Sequence, residues 1–157
     1  MARRYLPALA VALLLAGAIA CLPPKDARTQ ALEAQNAAYQ LAREGRTAEA
    51  IAHYTHAIAL DPGLALSYHG RGVAYAGAGD YAAAIADFDR ALELDPGRAF
   101  TYFERGAAYY ALADFPHAEA DIQQSIDISG GDPDIFYPAQ SLLDSIRSGD
   151  AALDAGQ

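Results

Sequence analysis

Two histidines, His53 and His56, stand three residues apart in a stretch whose pattern is helical, so both imidazoles project from one face and could share a metal ion. No cysteine or third histidine lies near them, and a solvated or helix-packing role fits them better than a metal site. The remaining histidines, His69 and His117, have no evident partner in sequence. Carboxylates are plentiful but fall in turns and on outward helix faces. There is no nucleophile elbow, phosphate loop or zinc-ligand spacing. The residues therefore give no catalytic site, no metal site and no cofactor. Two other groups stand out. Arg71 and Arg105 are each followed sixteen residues later by an aspartate, Asp87 and Asp121, while Ala37 and His53 occupy the corresponding places upstream. That joint presence predicts ion pairs across a helix packing, within one unit or between neighbours. The chain also has a single cysteine, Cys21, which excludes an internal disulfide.

The elements that position these groups recur every 34 residues. Ser67 to Tyr75, a turn at Gly79-Asp80-Tyr81, then Ala84 to Leu92 and Asp95-Pro96 form one unit. One period on stand Thr101 to Tyr109, Asp114-Phe115 and Ala118 to Ile126; one period back stand Leu41, Ala50, Tyr54, Ala57 and Asp61-Pro62. Each unit reads as a helix, a turn and a second helix. Tyr68, Gly72 and Tyr75 share one face of the first helix, and Ala84, Phe88 and Ala91 share one face of the second. Small residues let the helices approach and aromatic ones fill what remains. Asp80 is placed to cap the second helix, and the proline after Asp95 ends it. The apolar share of the composition is dominated by alanine, which favours helix over sheet. Such units bury no core alone and must stack.

These residues at these offsets resemble the tetratricopeptide repeat (TPR) family over residues 31–64, 65–98 and 99–132. The resemblance implies an all-α, right-handed α-solenoid of three units; after them the residues from Asp132-Pro133 read as a C-terminal capping helix over 133–148, and the Ala-rich 149–157 as a disordered tail. Leu142, Leu143 and Ile146 would cover the end of the stack; Pro138 would restart or kink that helix. The resemblance also implies a concave groove lined by the first helix of each unit. Its candidate residues are Gln35, Asn36 and Tyr39; Leu66, His69 and Val73; and Phe100, Phe103, Glu104 and Tyr110. Phe100, Phe103 and Tyr110 read either as an exposed hot spot for an extended or helical peptide or as packing between units and under the final helix. The chaperone-binding TPR clamp for C-terminal carboxylates needs Lys and Asn where Gln35 and Tyr39 stand, which disfavours an acidic C-terminal peptide.

The first twenty-one residues have a different character. Met1 to Arg4 is a short basic start, Tyr5 to Ala20 is almost unbroken apolar, and small residues lead into Cys21. This is the layout of an export signal over 1–20, with a retained membrane anchor as its alternative. Ala18-Ile19-Ala20-Cys21 resembles the lipobox of bacterial lipoproteins, whose cysteine carries the lipid and becomes the first residue; Ala18 departs from the usual Leu. The resemblance implies lipidation of Cys21, a proline-bearing tether over 21–30, and a protein anchored in a bacterial cell envelope, facing the periplasm; Leu22 after the cysteine points to the outer membrane. The competing reading is a secreted, unlipidated periplasmic binding protein. The formal charge of −9 becomes −11 without Arg3 and Arg4, and no basic patch is present, so nucleic acid is not an expected partner. A protein or peptide in the groove, and a membrane through the N-terminal lipid, are the expected partners.

Overall fold

The computed structural model describes residues 26–148. The signal segment 1–20, the first half of the expected tether (21–25, with Cys21) and the tail 149–157 lie outside the described residues. Within them are seven α-helices and no strand: α1 Ala27–Arg43, α2 Thr47–Leu60, α3 Ala65–Gly77, α4 Tyr81–Leu94, α5 Ala99–Ala111, α6 Phe115–Ser129 and α7 Pro133–Ser148. Each helix packs against its neighbours in the chain, and α1, α3, α5 and α7 also touch in succession. The result is an α-solenoid with α1, α3 and α5 on the inner side and α2, α4 and α6 on the outer side of the helix pairs.

The repeat is visible in the helix starts. Ala65, Ala99 and Pro133 open α3, α5 and α7 at intervals of 34, as Thr47, Tyr81 and Phe115 open α2, α4 and α6. The terminal helix is therefore a fourth inner helix in register, with no outer partner among the described residues. It runs through Pro138 as one helix rather than restarting there, because Ala139 and Leu143 anchor it in a core with Ile122. The missing N–H of Pro138 forfeits one backbone hydrogen bond. The first helix departs the other way. It begins at Ala27, four residues before the expected unit and inside the stretch read as tether, because Asp26 accepts from the Thr29 N–H at 2.8 Å and caps it.

Inside each unit one close approach is repeated. Gly72 and Gly106 face Phe88 and Ile122 so tightly that an added Cβ would sit 2.7 and 2.8 Å from them. In the first unit Ala38 faces Tyr54 instead, and Leu41 packs against that pair. Asp80 and Asp114 accept from the N–H groups of Ala83 and His117, capping α4 and α6. Asp61 and Asp95, each before a proline, take extended or near-extended backbone and end α2 and α4.

Candidate binding groove

Arg71 and Arg105 set the relation between units. The Arg71 guanidinium donates through Nε and Nη2 to both carboxylate oxygens of Asp87, each at 2.7 Å. Its Nη1 reaches back to Thr55 Oγ1 of the preceding unit at 3.0 Å. Arg105 repeats this with Asp121 at 2.7 Å twice and with Asp89 at 2.5 Å. Each arginine thus grips its own outer helix, sixteen residues on, and the preceding unit's outer helix, sixteen residues back. Asp87 and Asp121 are buried at 7% exposure, so these forks exclude most solvent. Tyr68 and Tyr102 lie under the two guanidinium groups, with centroids 5.8 and 5.5 Å away.

A second polar ladder joins the inner helices. Ser67 Oγ donates to Gln35 Oε1 at 2.9 Å, and Thr101 Oγ1 lies 3.0 Å from His69 Nδ1. Gln35, His69 and Phe103 are equivalent positions, and each points at the next inner helix. For His69 this means rings of Phe88 and Phe100 at 5.9 and 5.8 Å. Burial, helped by the charge of Arg98, lowers its pKa to about 4, so it is neutral at pH 7.

The inner helices enclose a cavity of about 680 Å³. Of the candidate residues, Gln35, Asn36 and Tyr39 line it from α1, Leu66, His69 and Val73 from α3, and Phe100 from α5. Tyr39, Leu66, Val73 and Phe100 remain 38–55% exposed, a strip of large side chains open to solvent. Phe103, Glu104 and Tyr110 do not line it. Phe103 packs against Ile122, Ala139 and Leu143, because α7 occupies the place of the next inner helix and covers it. Tyr110 is half-buried, edge-on to Phe115 with centroids 5.8 Å apart. The two readings of the aromatic trio thus divide between its members: Phe100 is exposed, and Phe103 and Tyr110 are packed. Glu104 is partly buried on α5, and burial raises its pKa.

Sequence reading missed Thr47 and above all Tyr54 as lining residues. Tyr54 comes from an outer helix, and its ring reaches the cavity only because Gly70 has no side chain. The signal was the pairing of a Gly at 70 with the largest residue of its column, where later units carry Phe88 and Ile122. His53 and His56 are both exposed on α2, and no group of three or more potential metal ligands occurs among the described residues. No helix among the described residues is long and apolar enough to cross a membrane.

The family model of the tetratricopeptide repeat matches residues 65–98, and that of the TPR repeat matches residues 38–79. Among solved structures, the first TPR of Spaghetti (RPAP3) bound to an HSP90 peptide is 25% identical, with a TM-score of 0.74, over 79% of this chain and 95% of that one. The second TPR domain of human RPAP3, in complex with an HSP70 peptide, is 26% identical with a TM-score of 0.71, over 77% and 98%. The type III secretion translocator chaperone SycD of Yersinia enterocolitica shares the fold at 18% identity and a TM-score of 0.76, over 85% and 94%. No curated protein matches the chain. The two family matches overlap on the middle unit and together span residues 38–98, so this stretch is built of tetratricopeptide repeats, and the same helix pair recurs in the structure after it.

Proposed function

We propose that this protein is an interaction scaffold of the bacterial cell envelope, anchored by a lipid on Cys21 and presenting its inner groove to a peptide or protein in the periplasm. The observation that carries the binding role is the cavity of about 680 Å³ walled by half-exposed Leu66, Val73, Tyr39 and Phe100. Exposed apolar side chains gathered in a concavity leave a site to be covered, and RPAP3 domains of the same fold hold peptides. The RPAP3 peptides end in an acidic EEVD stretch. Here Gln35 and Tyr39 replace the cationic and amide groups that such a carboxylate needs, so an acidic terminus is not the expected ligand. The groove offers walls and hydrogen bonds rather than an activated nucleophile, which favours holding over turnover.

Anchoring rests on the sequence around Cys21 alone, including a basic start, an apolar run and a cysteine after small residues. Placement on the outer membrane follows from Leu22 by the same resemblance. A photoreactive benzoylphenylalanine in place of Leu66, irradiated in the native envelope, should cross-link a discrete partner, and Val73→Asp in the same chain should abolish the product. A product unaffected by Val73→Asp would overturn the groove reading. Mass spectrometry of the mature N-terminus tests the anchor: an acylated Cys21 is expected, and a free thiol there leaves the unlipidated periplasmic protein as the better account.

A further inference from the structure

One polar group at the floor of the cavity is used by nothing in the fold. Tyr54 is 4% exposed and packs with Ala38 and Ala50. Its hydroxyl passes Gly70 so closely that a Cβ there would lie 2.5 Å from the oxygen. No hydrogen bond from a described residue meets it, yet among those residues no side-chain nitrogen or oxygen sealed from solvent lacks a partner. The oxygen must therefore open onto the cavity that Tyr54 lines. The core does not need it, since Phe88 and Ile122 fill the equivalent places without a polar atom. A phenol donor in an apolar pocket calls for an acceptor from the occupant. A helix has already spent its carbonyls on itself; an extended segment has them free.

The charge of the groove gives the second element. Its one lining cation, Arg43, lies over the Tyr39 ring at 5.9 Å. Beyond the lining residues, on the inner face of α5, stands Glu104, in the column that begins with Asn36 and Gly70. Its carboxylate has neither a hydrogen bond nor an ion pair among the described residues, and only burial acts on its pKa. The arginines nearest in sequence are engaged, Arg105 with Asp89 and Asp121, Arg98 with Asp95. Asp134, exposed 34 residues after Phe100, extends the same polarity. An acidic chain with an unpaired carboxylate on the inner face beyond an apolar groove complements a cation.

We infer that the groove binds an extended internal peptide segment with apolar side chains and a lysine or arginine, a backbone carbonyl accepting from Tyr54 and the cation meeting Glu104. Gly70 and Glu104 sit on successive inner helices, roughly 8–10 Å apart, so the cation stands about three residues from that carbonyl. This rests on the groove reading above and goes further by fixing the ligand's conformation and charge.

The test uses capped nine-residue peptides with Leu at alternate positions and Lys, Gln or Glu scanned through the others, titrated into the full chain by fluorescence anisotropy. The Lys series should bind about tenfold tighter than the Glu series. Glu104→Gln should erase the difference between Lys and Gln. Tyr54→Phe should weaken every series about fivefold to tenfold, with an unchanged or higher thermal midpoint because Phe88 shows that the ring alone packs. Equal binding of Lys and Glu peptides, or no effect of Tyr54→Phe, overturns the inference while leaving the groove reading intact, provided Leu66→Asp still abolishes binding. Binding that ignores Leu66→Asp, or no binding by any series, overturns both.

Discussion

The arginine at the seventh position of a unit touches three helices at once, and its value depends on both partners being present. Asp87→Ala would leave the Arg71 guanidinium, whose side chain is 18% exposed, with only Thr55 and the Tyr68 ring. An orphaned, partly buried charge costs more than the pair is worth, so the expected loss is about 2–3 kcal/mol. Arg71→Met/Asp87→Ala should recover more than half of it, read as urea midpoints; equal midpoints for the two proteins would refute the coupling. His69 makes a separate prediction about acid. Its folded pKa of about 4 lies below the 6.5 of an unfolded chain, so unfolded protein takes the proton first. The stability it contributes is present above pH 6.5 and falls away as pH drops towards 4, by up to about 3 kcal/mol. Glu104, with its pKa raised, opposes this but is common to wild type and variant. Gln35 already fills the equivalent place against Ser67. His69→Gln should therefore keep the bond to Thr101 and flatten the fall in thermal midpoint between pH 6.5 and 4. An unchanged pH slope would show that His69 is not the group responsible.

At the scale of the element, the turn between the helices of each unit needs one residue in the left-handed region. Gly45 and Gly79 supply it at φ 76° and 83°, but the third unit uses Ala113 at φ 59°. Alanine pays sterically there, so Ala113→Gly should raise stability by about 0.5–1 kcal/mol despite glycine's larger unfolded-state entropy. A lower urea midpoint would mean that the turn relaxes around alanine. Within the helices the sign reverses: Gly72→Ala would drive a Cβ into the Phe88 ring, and its gain in helix propensity should be outweighed. Much of this was legible in sequence, because turn residues and small–large spacing recur with the period. Asp26 was hidden behind Pro23 and Pro24, which suggested extended chain just where a cap begins a helix. Phe103 had two readings in sequence, and packing under the final helix is the one the structure takes, because α7 is an inner helix in register: Ala65, Ala99 and Pro133 keep the spacing. Tyr54 escaped for a different reason. Periodicity tells which face a residue occupies, but not that a missing Cβ on a neighbouring helix lets its tip emerge on the far side.

For the whole molecule, stability in a solenoid is a sum over units and seams, and the seams here are unequal. Between the second and third units Arg105 finds a carboxylate, Asp89, on the preceding outer helix. Between the first and second, Arg71 finds only the hydroxyl of Thr55, and Gln35–Ser67 supplies a neutral bond. The far seam is closed by the Ile122, Ala139 and Leu143 cluster and by Arg147 bonded to Glu119 and Gln123. The first unit is accordingly the one to open alone, and its opening would dismantle the cavity, which α1 and α3 share. Binding and local stability are thereby linked: a groove ligand should protect α1 amides beyond its own footprint. Thr55→Asp would give Arg71 the second carboxylate that Arg105 already has. With Thr55 on an exposed edge the gain is modest, about 0.5–1 kcal/mol, or about twofold to fivefold in the opening equilibrium. Native-state hydrogen exchange should then slow by that factor in α1 and α2 and stay unchanged in α5 and α6. Uniform slowing across all seven helices would instead show that the stack opens only as a whole.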